Sequence, residues 1–143
     1  MVRVLRDADG SSTDPGLAEV ETLAAVMAGA GLEVTVRREG DLSAVPDDVG
    51  RELFRLVQEA LTNVVKHSAA TSAVVTLRGS GSEVEVAVTD PGPALGSGLP
   101  SGTHGITGMA ERLTPYGGTL DAAPDGHGFR VHARVPLRQG VVA

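Results

Sequence analysis

The chain has 143 residues, enough for one domain with its own core, and 41% of them are hydrophobic, which excludes a disordered chain. Its net charge is −6 with no Lys/Arg-rich run, which argues against a nucleic-acid surface. The absence of cysteine excludes disulfides, cysteine–zinc sites and thiol catalysis.

The longest apolar run, Leu23 to Leu32, is too short and too rich in Gly and Ala to span a membrane. MVRVLRDADG turns polar at once, unlike a signal peptide, so a cytoplasmic domain without direct membrane contact is expected. Aromatic residues are confined to Phe54, Tyr116 and Phe129, so the core must be built from Val, Leu and Ala.

MVRVLRD, with Val2, Val4 and Leu5 among basic residues, reads as the end of a longer upstream element. DADGSSTDPG is dense in turn residues and reads as a linker. Asp14-Pro15 then opens a helix, Asp14 as N-cap and Pro15 at the first helical position. Leu17, Val20, Leu23, Ala24 and Met27 give its apolar face, and Gly29 and Gly31 end it. Leu32 to Arg38 alternates apolar and polar, as a half-buried strand does. Gly40 to Val45 is a loop.

Pro46-Asp47-Asp48 starts a second helix, with its acidic residues in the first turn where the helix dipole favours them. Leu53, Leu56, Val57, Ala60, Leu61 and Val64 form one apolar stripe along it. Glu59, Asn63 and His67 recur every four residues, so they line one edge of that stripe, with Lys66 beside them. A carboxylate, a carboxamide, an imidazole and an ammonium on one flank suit Mg²⁺ and the phosphates attached to it. Taken alone, the same flank also fits an ordinary solvated helix edge.

After His67 the stretch SAATS turns the chain. Ala73 to Arg78 and Glu83 to Thr89 form an antiparallel hairpin around GSGS. Val84, Val86 and Val88 share one face, and Asp90 has their parity. Either Asp90 aims a carboxylate at the core side, where it needs a hydrogen-bonding partner, or the strand stops at Thr89 and Asp90 starts a turn.

PGPALGSGLPSGT, residues 91–103, holds no charge, four glycines and three prolines, so it is a functional loop or lid rather than a regular element. Ile106, Met109, Ala110 and Leu113 have helical spacing, so a helix begins near Gly105. A glycine-rich loop entering a helix N-terminus presents backbone N–H groups to an anion, and Gly105 and Gly108 would let a phosphate approach. Pro115-Tyr116-Gly117-Gly118 stops this helix. Thr119 to Ala122 and Phe129 to Val135 close the domain as a second hairpin around PDGHG. Strands with one polar face, interleaved with helices in this order, predict an α+β two-layer sandwich: a mixed, mainly antiparallel sheet with helices on one face.

These residues resemble the boxes of sensor histidine kinases. Gln58-Glu59-Ala60-Leu61-Thr62-Asn63-Val64-Val65-Lys66-His67 is similar to the N box. Asp90-Pro91-Gly92 resembles the first glycine box. His104-Gly105-Ile106-Thr107-Gly108-Met109 with Ala110-Glu111-Arg112 resembles the second. Gly117-Gly118-Thr119-Leu120 and Gly128-Phe129-Arg130-Val131 resemble the closing hairpin. The match runs from about Pro15 to Leu137 and is nearest the nitrate-sensor type of two-component kinase.

The resemblance implies the GHKL-type ATPase fold, shared with DNA gyrase and the MutL repair protein, with ATP and Mg²⁺ bound. It places Mg²⁺ on Asn63 and Glu59, gives Glu59 a part in phosphoryl transfer, and sets Lys66 and His67 near the phosphates. Asp90 would accept from the adenine amino group. Gly92, His104, Gly105, Ile106, Gly108, Met109 and Thr119 would complete the ATP site. Ala94 stands where the box has a second glycine, Thr103 stands where a glycine precedes the His, and Pro91 and Pro93 stiffen the loop; none of these departures removes a charged group.

Histidine kinases of this kind carry a phosphate-accepting His in an upstream dimerising helix pair. None of His67, His104, His127 and His132 sits in such a helix. The expected organisation is therefore a remnant of that helix and a linker over 1–14, the ATP-binding domain over 15–137 and a tail over 138–143. Its partners would be the missing dimerisation and histidine-phosphotransfer domain and a response regulator, with this piece monomeric and unable to phosphorylate itself. An anti-sigma-factor serine kinase of the same fold, and a degenerate nucleotide-binding pseudokinase, are the alternatives.

Overall fold

The computed structural model describes residues 15–93 and 103–137, with the backbone alone over 103–107. The expected helix remnant and linker, the tail and most of the lid, Ala94 included, lie outside the described residues. The described elements are α1 (Val20–Gly29), β1 (Glu33–Asp41), α2 (Asp47–His67), β2 (Ser72–Ser80), β3 (Glu83–Asp90), α3 (Thr103–Leu113), β4 (Thr119–Asp125) and β5 (Gly128–Pro136). Their order is the expected one.

The strands form one sheet in the order β1-β2-β3-β5-β4. β1 and β2 run parallel because α2 carries the chain from the end of one to the start of the other. The remaining neighbours are antiparallel, as hairpin and return connections require. All six residues of the α2 stripe are buried, together with Val49 and Phe54. They pack on Val75, Leu77, Val84, Val86, Val88, Val131, Ala133 and Val135, the inward residues of β2, β3 and β5. Each fully buried Leu or Val contributes about 1.5–3 kcal/mol, so this layer of branched aliphatics holds the sandwich together without a large aromatic core.

Several boundaries differ from the sequence reading, each for a local reason. The first helix is regular only from Val20, and a 3-10 turn at Leu17–Glu19 precedes it. Gly16 caps this turn, its N–H donating to the Glu19 carboxylate at 2.9 Å, and Pro15 precedes the cap rather than opening the helix; Asp14 lies outside the described residues. Arg38, on the inward parity of β1, pins this turn by donating to the Leu17 carbonyl at 2.6 Å and to both Glu21 oxygens. β1 runs on to Asp41, where a loop was expected, because Glu39, Gly40 and Asp41 stay in register with Arg78, Gly79 and Ser80. α3 begins at Thr103, ahead of Gly105. β4 continues through Pro124, which an edge strand tolerates. No described helix is long and apolar enough to cross a membrane.

Candidate functional site

The α2 register fixes the first part of the site. Glu59, Asn63 and His67 are half-buried beside the core stripe, and Lys66 is exposed. With a rise of about 1.5 Å per residue, the three flank residues span roughly 12 Å of the helix edge, ending at its last turn.

The second part is where α2 stops. Ser68 leaves the helix in an extended conformation, its N–H still bound to the Val64 carbonyl at 3.0 Å. Its hydroxyl donates to Asp90 Oδ1 at 2.9 Å and accepts from the Ala70 N–H at 3.0 Å. The Gly92 N–H donates to the same Asp90 oxygen at 2.7 Å, and the Ala69 N–H donates to the Pro93 carbonyl at 2.9 Å. The helix end and the strand end are thus stitched together around one carboxylate.

Asp90 belongs to β3 and pairs with Phe129 of β5, so the inward reading of its parity is the correct one. It is 9% exposed and is the one buried charged side chain among the described residues. Two glycines allow the backbone to close around it. A Cβ on Gly128 would collide with the Asp90 carbonyl, and one on Gly92, whose φ is +68°, would collide with the carbonyl of His127.

The third part is α3. Met109 and Leu113 are buried, and the helix packs against α2. Arg112 approaches Glu52 of α2 at 4.0 Å, and that Glu52 oxygen has no hydrogen-bond partner among the described residues. A Cβ on Gly108 would meet nothing within 4 Å, so open space lies beside this turn of α3. His104, Gly105 and Ile106 lie in the first turns of the helix, and their side chains fall outside the description.

The structure therefore brings Glu59, Asn63, Lys66 and His67 onto the C-terminal half of α2, and Asp90 and Gly92 against its end. It does not bring Thr119 there. Thr119 pairs with Arg134, which is level with Glu85, and is exposed. Five strand residues, about 17 Å, separate that level from Asp90, and Thr119 lies on the sheet's outer face. Ser68 is the residue the sequence reading passed over. The signal was present: a buried carboxylate demanded a donor, and Ser68 is a short hydroxyl residue directly after the polar flank.

The donor chemistry fits a magnesium ion held mostly by its ligand. Among the described residues no three His, Asp or Glu side chains converge. A carboxylate and a carboxamide on one helix edge are the sparse hard-oxygen set that Mg²⁺ accepts when phosphates and water complete its octahedron.

A parallel β–α–β crossover leading into antiparallel hairpins, with a polar-flanked helix ending on a buried strand-end aspartate, defines a GHKL-type ATP-binding sandwich. The chain belongs to the histidine kinase-, DNA gyrase B- and HSP90-like ATPase family, whose model matches residues 48–139.

Among curated proteins it is similar to the signal transduction histidine-protein kinase/phosphatase UhpB of Salmonella typhimurium, 39% identical over 104 residues, which are 68% of this chain and 19% of that protein. It is also similar to the Bacillus subtilis sensor histidine kinase YxjM, 37% identical over 93 residues, 64% of this chain and 22% of the relative. The chain thus spans about a fifth of the length of these relatives.

Among solved structures, the histidine kinase domain of the Erythrobacter litoralis EL346 blue-light activated histidine kinase aligns with a TM-score of 0.61 at 25% identity, over 84% of this chain and 60% of that one. The Acinetobacter baumannii histidine kinase AdeS shares the fold at a TM-score of 0.64 and 13% identity, over 85% of this chain and 64% of that one. The expected α+β sandwich and the resemblance to sensor histidine kinases are both borne out.

Proposed function

We propose that this domain binds Mg-ATP at the C-terminal end of α2 and passes the γ-phosphoryl group to a histidine on a dimerisation domain of a longer protein, for relay to a response regulator. The observation that carries the reading is Asp90: a buried carboxylate, oriented by neutral donors, beside a helix edge that bears Glu59 and Asn63. Asp90 accepts from the adenine 6-amino group. Asn63 and Glu59 would hold the metal or its water through their oxygens, and Lys66 and His67 would meet the phosphate charge. When bound, Mg²⁺ would supply positive charge to offset that of the phosphates.

Glu59 orients the incoming imidazole and takes up its N–H proton as the N–P bond forms and the P–O bond to ADP breaks. Catalysis then rests on positioning and charge stabilisation, as phosphoryl transfer requires. The reaction belongs to the cytoplasm, where ATP and a response regulator meet.

The test is transfer of labelled phosphate from ATP to a supplied dimerisation domain by this chain and by its Glu59→Ala variant. The expected result is transfer by the wild type and ATP binding without transfer by the variant. Full transfer by Glu59→Ala would remove Glu59 as the base, and labelling of a serine on an antagonist protein instead of a histidine would make the chain a serine kinase.

A further inference from the structure

The Ser68 hydroxyl is engaged both as donor and as acceptor. Its single hydrogen goes to Asp90 Oδ1, and it accepts the Ala70 N–H. Turning the side chain away would break both bonds, and turning the hydrogen alone would give up the bond to Asp90. Its place is set by α2 itself, because the Ser68 N–H still closes on the Val64 carbonyl.

Asp90 Oδ1 receives a second donor, the Gly92 N–H, in the same place. A carboxylate oxygen has room for about two in-plane donors, so Oδ1 is filled and the carboxylate plane is fixed. A ligand donor must then go to Oδ2.

We infer that Ser68 is a positioning residue for nucleobase recognition: by locking the Asp90 carboxylate it makes the pocket select a purine with a 6-amino donor over one with a 6-oxo acceptor or no 6-substituent. The inference rests on the proposed role of Asp90 at the adenine. Its physical basis is the same as for any pre-ordered polar site. A fixed acceptor discriminates sharply against a ligand that cannot donate to it, whereas a mobile one can turn away and discriminate less. Removing the hydroxyl also leaves the Ala70 N–H without this acceptor, and among the described hydrogen bonds the one from Ala69 to the Pro93 carbonyl still joins the helix end to the strand end.

The experiment is competitive titration of ATP and of purine riboside triphosphate, which lacks the 6-amino group, into the wild-type chain and four variants. The wild type is expected to prefer ATP by about tenfold or more, the worth of a hydrogen bond to a charged group. Ser68→Ala should lose most of that preference while its affinity for purine riboside triphosphate stays within about twofold of the wild type, because only the amino contact is affected.

Ser68→Thr should retain the preference, since an extended residue accommodates a β-branched side chain and the hydroxyl is kept. Ser68→Cys, nearly isosteric but a weak donor, should fall between them and decides the matter if the alanine variant does not fold. Asp90→Asn should abolish the preference.

Undiminished preference in Ser68→Ala, or equal weakening of both nucleotides, would overturn the role of Ser68 while leaving that of Asp90 intact. A preference that survives Asp90→Asn, or failure of the folded wild type to bind ATP, would instead overturn the parent reading and this one with it.

Discussion

Two groups of charged side chains lie on this sheet, and they are satisfied in opposite ways. On the outer face several charged side chains find polar partners across the strands: Arg78 bonds Glu39 at 2.8 Å, His132 bonds Glu85 at 3.1 Å, and Arg134 lies 3.5 Å from Glu83. At the end of β3, Asp90 is buried and its described partners are a hydroxyl and a backbone N–H, both neutral. The first arrangement is complete in itself. The second holds a buried carboxylate with neutral donors, oriented rather than ion-paired, which leaves an acceptor in place for a ligand's donor. Partner type, more than the presence of charge, separates the scaffold from the site.

The comparison can be broken from either side. The largest effect should come from the layer that supports both regions. Leu56→Ala, at a fully buried position of α2, is expected to lose about 2–5 kcal/mol of stability. Urea unfolding would read it, and the outer-face ion pairs should not rescue the fold.

Gly128→Ala should lose about 1–3 kcal/mol, because the new methyl collides with the Asp90 carbonyl and the β4–β5 turn must move. Unlike the core variant, it should weaken ATP binding even at temperatures where the chain stays folded. Normal binding by the folded variant would mean that the turn is not part of the site's support.

Asp90→Asn keeps an oxygen for Ser68 and Gly92 but can present an amide donor where a ligand's amino group needs an acceptor. It should weaken ATP binding by roughly 10–100-fold, or about 1–3 kcal/mol, with little change in melting temperature. Unchanged calorimetric affinity would take Asp90 out of the site.

The smallest effect belongs to the outer face. The hydrogen bond from His132, before any other cause, holds the Glu85 carboxyl below its ordinary value of 4.5. A carboxyl depressed in the folded state stabilises the fold above its unfolded value, and that stabilisation is lost as pH falls through the folded value. The wild type should therefore lose stability as pH drops below about 4.5, and Glu85→Gln should flatten that part of the profile. Because the pair is partly exposed, the difference should stay under about 1 kcal/mol, with ATP affinity at neutral pH unaffected.

Periodicity made most of the fold legible. The α2 stripe and the alternation in β2, β3 and β5 bury the residues that their spacing assigned to the core. The misjudged boundaries were set by partners distant in sequence: Arg38 holding the Leu17 turn, and β2 extending β1 through register. No local pattern contains those contacts.

The placement of the candidate residues was legible for the same reason. Glu59, Asn63 and His67 are placed by one helix, and Asp90 by strand parity. Ser68 was missed because its role depends on a bond across 22 positions. Thr119 was grouped with the site by a motif match, which carries no information on sheet level. The pairing of Thr119 with Arg134 supplies that information.

The most direct measurement is a backbone amide NMR titration of the whole chain with Mg-ATP. A site at the end of α2 predicts saturable shifts at Asn63, Ser68, Asp90, Gly92 and Gly108, while Arg78, Glu85 and His132 stay in place. Shifts centred on those outer-face residues, with Ser68 and Gly92 unmoved, would contradict it.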